Sequence, residues 1–417
     1  MVVLGASRWA YHAHPTPVHG DETELIAAIG FRRPHPVHPP GAPLWTAAGT
    51  LLRTAGLPAY AAYQAWSMLA SVAAPLALFF GLRREVGDVP AGWTALAFGF
   101  NPLIWFLGET ALPYSAACAA VVAVALLCCR ALRDRRPAAF SAASAVLAAS
   151  LLLRIDLLAW LGPLWGYVAW KTRGRHALAG FLMVLIGAAT SMGVSAALYA
   201  GAAHTSNAPR FAHTVDVLLN TSVFRVGLVD GLIRSAVKLT AFFGWCLGLP
   251  ALWVLLGTGL ARRRDSIGPR PDKPLGILMA LWVMPLLLFL LGVHMSESSH
   301  VLLVPAAYYL LAVWTRRRVP PRIAAGLMAG AATASLLQFV LYPWSADSQS
   351  FKRSVDAKVA YVSGQGLHGI DRRAEIHAPG DTWPTASSSP PPTLPPSQNA
   401  ARGEGGASSS APSEAPL

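Results

Sequence analysis

The sequence predicts an all-α polytopic membrane protein with about ten transmembrane helices, and three observations carry that prediction. Of 417 residues, 54% are hydrophobic and 13% charged, against roughly 45–50% and about 25% in an ordinary soluble domain. The apolar residues run in unbroken blocks near the length that crosses a bilayer, about 17–25 residues. The basic residues sit in short loops between alternate blocks, the distribution that sets orientation in a membrane. An ordinary soluble enzyme is excluded. The net charge of +13 would suggest nucleic acid in a soluble protein, but placed in these loops it reads as a topology signal, and no nucleic-acid partner is expected. Cys118, Cys128, Cys129 and Cys246 all lie inside apolar blocks, without the spacing of a disulfide framework or a zinc site.

Residues 1–58 form a first loop. The predicted spans then follow at 59–82, 91–107, 110–129, 138–153, 157–170, 178–200, 237–260, 275–295, 300–314 and 323–343, so that 59–343 is the transmembrane bundle. Five alternate connections hold 18 of the 33 Lys and Arg, while the four between them hold only Arg154, Arg210, Arg225 and Arg234. The first set is therefore assigned to the cytoplasm and the second to the outer face. This alternation places the first loop outside as well, so a further helix upstream of Met1 is expected, making eleven. Residues 344–383 become an outer juxtamembrane segment. From Pro384 to Leu417 the chain has eight Pro and eight Ser, a composition that cannot bury a core and predicts a disordered tail. The richness in Ala, Arg, Gly and Pro suits a bacterial inner (plasma) membrane.

Polar side chains at the outer ends of such a bundle are where chemistry is sought, because lipid-facing positions hold them only at high cost. The densest stretch is His19-Gly-Asp-Glu-Thr-Glu-Leu-Ile-Ala-Ala-Ile-Gly30, followed by His38-Pro-Pro-Gly-Ala-Pro-Leu-Trp45. From Glu22 to Ile29 the spacing predicts a short helix at the membrane surface with Leu25, Ile26 and Ile29 on one face. Asp21 and Glu24 stand at capping-box spacing and Gly30 is a natural stop. Asp21 can thus be a cap alone, or a cap that is also a base, since a carboxylate held at a helix N-terminus stays ionised and oriented. His38 and the Pro-Pro-Gly after it read as a rigid turn. Glu109, at a break between two apolar runs, belongs either to a site or to a structural bond across the break. His12, His14, His19, His35 and His38 are irregularly spaced and interrupted by prolines, which argues against a divalent metal. Trp45, Trp66, Trp93, Trp105 and Trp160 read mostly as interface markers.

These residues carry a resemblance. Gly-Asp-x-x-Glu-Leu-Ile-Ala-Ala from Gly20, followed by His-Pro-Pro-Gly-x-Pro-Leu-aromatic from His38, is similar to the first outer loop of the protein O-mannosyltransferase-like membrane family of the GT-C glycosyltransferase superfamily. Asn101-Pro-Leu-Ile-Trp-Phe-Leu-Gly-Glu109-Thr-Ala-Leu-Pro-Tyr114 resembles that family's segment of aromatic-Trp followed by an acid and a Tyr. Glu297-Ser-Ser-His300-Val-Leu-Leu-Val-Pro305 resembles the outer loop before a late helix. The sequence departs from the family at Ala42, where Tyr is common.

The resemblance implies a GT-C-like fold with short interfacial helices in the first loop. It also implies transfer of a sugar, mannose by family default, from a polyprenyl-phosphate carrier to an acceptor hydroxyl with inversion. The acceptor could be a protein, a lipid or a glycan, and membrane lipids surround the whole. Asp21 would accept the acceptor's proton. Glu24 would orient the helix or bond sugar or acceptor, and Glu22 could stand in for either acid. Arg154, in Leu-Leu-Leu-Arg154-Ile-Asp156, would stabilise the leaving phosphate; a simple Arg154–Asp156 or headgroup contact is the bland alternative. His38, Glu109, Asp156 and His300 complete the expected substrate contacts. A transporter or flippase, or an inactive scaffold of the same fold, is the competing function. Transporters place ionisable groups near the midplane of repeated halves, whereas these cluster at one face and no repeat is evident.

Overall fold

The computed structural model describes Leu4, Leu25, Ile26, Ile29 and residues 42–202, 222–261, 273–293 and 297–341. Among them the chain is helical almost throughout, and an isolated bridge, Ser222 to Val293, is its only extended pairing. The predicted segments 344–383 and 384–417 lie outside the described residues.

A helix that the predicted spans omit, α1 (Pro43–Thr54), opens the described chain, with Pro at its first position where a missing amide costs nothing. It lies in the first-loop segment and packs on α2 (Ala59–Val86). The predicted span 91–107 is two helices, α3 (Asp88–Gly99) and α4 (Pro102–Leu107). The break is chemical. Pro102 drives Asn101 out of the helical region, to φ −56° and ψ 131°, and the Asn101 side chain then accepts from Leu103 N as an N-cap. The remaining helices are α5 (Tyr114–Arg133), α6 (Pro137–Leu151), α7 (Leu157–Thr172), α8 (Gly174–Ala202), the short α9 (Val223–Val226), α10 (Leu228–Ala261), α11 (Lys273–Gly292), α12 (Val304–Arg316) and α13 (Pro321–Leu341). A 3-10 segment, Glu297–Leu302, precedes α12. α10 begins nine residues before the predicted span, which turns part of the predicted outer loop 201–236 into helix.

By length and composition, Ala59–Val86, Tyr114–Arg133 and Gly174–Ala197 are long and apolar enough to cross a membrane; Pro137–Leu151, Cys246–Ala261 and Gly276–Gly292 are shorter apolar helices. The exposed faces are those of a chain solvated by lipid: along α8, Leu178, Phe181, Leu182, Leu185 and Ile186 all lie bare.

α2 and α5 are the central parallel pair. At one end Ser67 Oγ donates to Leu112 O at 3.2 Å; at the other, Arg84 Nη1 meets Asp134 Oδ2 at 2.9 Å. Around them α3 packs on α2 and α13, α6 on α5 and α8, and α7 on α5 and α11. The bundle thus has an end bearing the turns at 108–113 and 152–156, and an opposite end bearing the arginine-rich turns.

Candidate active site

Close approach of backbones builds the turn-bearing end. Gly108 lies against α2 so tightly that a Cβ on it would sit 2.6 Å from both Cβ and Oγ of Ser71, so any side chain here forces its surroundings to shift. The next residue, Glu109, is completely buried. Its backbone carbonyl accepts from Gln64 Nε2 at 2.9 Å, and its Oε1 accepts from Trp105 Nε1 at 2.6 Å. Trp105 and Glu109 are four residues apart, and the turn that closes α4, with Glu109 N bonded to Phe106 O at 3.0 Å, brings indole and carboxylate together. A buried carboxylate survives only where such donors compensate for lost water.

Arg154 occupies the turn between α6 and α7. It grips Asp156 through both arms of the guanidinium, Nε to Oδ1 at 3.1 Å and Nη2 to Oδ2 at 2.6 Å. Its charge also lies over two rings, 4.6 Å from the centroid of Tyr114 and 5.3 Å from that of Trp160. The pair is unequally covered, with the Arg154 side chain 14% exposed and that of Asp156 38%. Burial works against the charge on Arg154. The Asp156 carboxylate and the Tyr114 hydroxyl outweigh it, and the guanidinium is held above its ordinary value.

A small apolar cluster covers this end. Leu25, Ile26 and Ile29 are each buried, together with Trp45, Ala59, Tyr63, Ala111 and Leu112. Leu25, Ile26 and Ile29, expected to share one apolar face, thus pack against protein. Hydrogen bonds tie the cluster to both turns, Trp45 Nε1 donating to Ala111 O at 2.8 Å and Leu44 N to Leu152 O at 3.0 Å, while within it Tyr63 Oη donates to Leu25 O at 3.2 Å. Trp45 and Tyr63 also stack, centroids 5.7 Å apart.

His300 is buried in the 3-10 segment, which packs on α4 and α5. Its ring meets that of Phe243 edge-on at 6.5 Å, while Cys118 Sγ donates to the neighbouring Val301 O at 3.6 Å. The Glu109 turn thus joins α4 to α5, Arg154 lies over Tyr114 at the start of α5, and the His300 segment packs on α4 and α5. Asp21, Glu22, Glu24 and His38 lie outside the described residues, as do the other N-terminal histidines. Among the described residues no group of three His, Cys, Asp or Glu is assembled that could hold a metal.

The tryptophan expectation needs correction. Trp45, Trp105 and Trp160 are buried and Trp66 is partly covered; of the five, Trp93 alone is exposed, at 40%. Trp45, Trp66 and Trp105 each spend the indole N–H on a carbonyl or carboxylate within the turn-bearing end, and Trp160 lies beneath a cation. They build the site's walls. Gln64 was given no role by sequence, Trp105 was read as an interface marker and Tyr114 only as part of the resemblance; the four-residue spacing of Trp105 and Glu109 was the signal available for one of them.

The described helices form an all-α polytopic bundle, and that fold is shared with a solved structure. The chain matches the crystal structure of ArnT from Cupriavidus metallidurans bound to undecaprenyl phosphate, with a TM-score of 0.56 and 16% identity over 87% of this chain and 69% of that one. At that identity the likeness carries the fold. No family model and no curated protein matches the chain.

Proposed function

We propose that this protein is an integral membrane glycosyltransferase that moves a sugar from a polyprenyl-phosphate carrier to an acceptor hydroxyl at the outer face. The observation that carries the reading is the likeness to a fold whose solved representative holds undecaprenyl phosphate, joined to the Arg154 guanidinium enclosed at the turn-bearing end. The acceptor oxygen attacks the anomeric carbon, the bond from that carbon to the phosphate oxygen breaks, and the polyprenyl phosphate departs with the electron pair. Attack opposite the leaving group inverts the anomeric centre.

Asp21 receives the acceptor's proton as general base, with Glu24 orienting it and Glu22 as the neighbouring alternative. Arg154 stabilises the charge that grows on the leaving phosphate, in a setting of low dielectric where a fixed cation counts for most. Asp156 keeps the guanidinium fork oriented, and its greater exposure lets the phosphate share the fork. Glu109 bonds a sugar hydroxyl, while His38 and His300 line the same substrate space. The sugar is mannose on the family resemblance, and the end bearing the turns faces the periplasm or exterior.

The test uses membranes carrying the native chain or Asp21→Asn, incubated with radiolabelled polyprenyl-phosphate mannose or polyprenyl-phosphate glucose. Release of label by the native chain alone supports both the reaction and the base, and the labelled product identifies the acceptor class. Label that stays on every carrier with a folded native chain removes the enzyme reading and moves the transporter and scaffold readings ahead.

A further inference from the structure

α10 contains Pro250. A proline inside a helix has no N–H, so the carbonyl four residues earlier, that of Cys246, is left without its helical donor. A residue 145 positions away fills the gap: Asn101 Nδ2 donates to Cys246 O at 2.6 Å.

The same amide has other partners. Its Oδ1 accepts from Leu103 N at 3.1 Å and so caps α4. Its Nδ2 also faces Tyr308 Oη at 3.4 Å, and that hydroxyl pairs with Ser335 Oγ at 2.9 Å. Asn101, Tyr308 and Ser335 are completely buried. One side chain therefore pins the junction of α3 and α4 against α10 and α12, and through Tyr308 against α13.

The junction matters because of the helix that starts there. α4 is six residues long, far below the length at which a helix holds itself together. Its orientation is set by its anchored start, and it carries Trp105, whose Nε1 holds the Glu109 carboxylate. We propose that Asn101 is a positioning residue for Glu109. It aims the Trp105–Glu109 pair by supplying the donor that Pro250 denies to Cys246. This rests on the reading of Glu109 as a sugar contact, but the aiming itself can be measured apart from any transfer.

Three variants test it: Asn101→Ser, Pro250→Ala and the two combined. Serine still caps α4 but is too short to reach Cys246 O, while alanine at 250 restores the helical amide to that carbonyl. In protein labelled with 5-fluorotryptophan, the Trp105 resonance is identified by its loss in Trp105→Phe. It is expected to shift in Asn101→Ser, to stay in place in Pro250→Ala, and to return toward its native position in the double variant. In the transfer assay, Asn101→Ser is expected to raise KM for the lipid-linked donor about tenfold, the size of one buried hydrogen bond, with kcat within about twofold, and Pro250→Ala should bring KM back. An unmoved Trp105 resonance in Asn101→Ser overturns the proposal. So does a double variant that shifts as far as Asn101→Ser alone, or that fails to fold where Asn101→Ser also fails. A native chain inactive on every carrier, with the resonance pattern as expected, removes the enzyme reading and leaves the positioning intact.

Discussion

The two ends of the bundle use the same ion-pair chemistry under opposite conditions. At the arginine-bearing end Arg84 and Arg130 share Asp134, and Arg133 pairs with Glu85. The arginine side chains there are about half exposed, at 48–53%. Water and counterions screen such pairs, so each contributes little. At the turn-bearing end Arg154 is 14% exposed and boxed by Tyr114 and Trp160. Desolvation there must be offset by a bidentate partner and two rings. A fold that needed only to close its helices would keep its charges at the exposed end. On the proposed function, the arginine kept under aromatic cover is the fixed cation that faces the leaving phosphate.

The largest expected effect follows from that contrast. Arg154→Met should lower transfer from the lipid-linked sugar about a hundredfold or more, the usual loss when a preorganised stabilising charge is removed. Arg154→Lys should recover only part of it, since an ammonium cannot reproduce the bidentate fork. If Arg154→Met retained near-native transfer while remaining folded, the cation's role would be structural and the comparison between the ends would lose its functional half.

A smaller effect tests the backbone approach on which the Glu109 turn depends. Gly108→Ala forces a methyl group into Ser71, and overpacking of this kind costs about 1–3 kcal/mol. The expected readout is a lower midpoint of thermal unfolding in detergent, with recovery in Gly108→Ala combined with Ser71→Gly. Additive losses in the double variant would mean that the clash is relieved elsewhere.

Trp45→Phe should come next. The ring can still stack on Tyr63, but Ala111 O loses its donor, and a buried carbonyl left alone costs about 1–3 kcal/mol. Because Trp45 tethers α1 to the 111–112 turn, amide exchange should rise first at residues 108–113. Uniform exchange along α2 and α5 would show instead that the cluster over this end is not a separate unit.

How far the sequence reaches can be judged residue by residue. Hydropathy blocks locate the helices because lipid demands continuous apolar stretches, and the Asn101-Pro102 dipeptide could have divided the span 91–107, since a residue before proline leaves the helical region. Leu25, Ile26 and Ile29 were legible as one face by spacing. What that face would touch was not, because a surface helix presents the same stripe to lipid as to protein. Arg154 and Asp156, two residues apart in a turn, were visible as a pair. Their cover by Tyr114 and Trp160, like the bond from Asn101 to Cys246, depends on packing between distant segments, which no local pattern encodes.

The smallest expected effect lies at the other end. Arg84→Gln removes the 2.9 Å contact with Asp134 but leaves Arg130 3.6 Å from the same carboxylate. With the Arg84 side chain 51% exposed, the loss should stay below about 1 kcal/mol. It should shrink further as salt rises, because a screened pair contributes less at high ionic strength. Transfer activity should not change, as this end is separated from the turns by the length of α2. A salt-independent loss of several kcal/mol would show that these pairs are sealed from water, and would place both ends of the bundle under the same electrostatic regime.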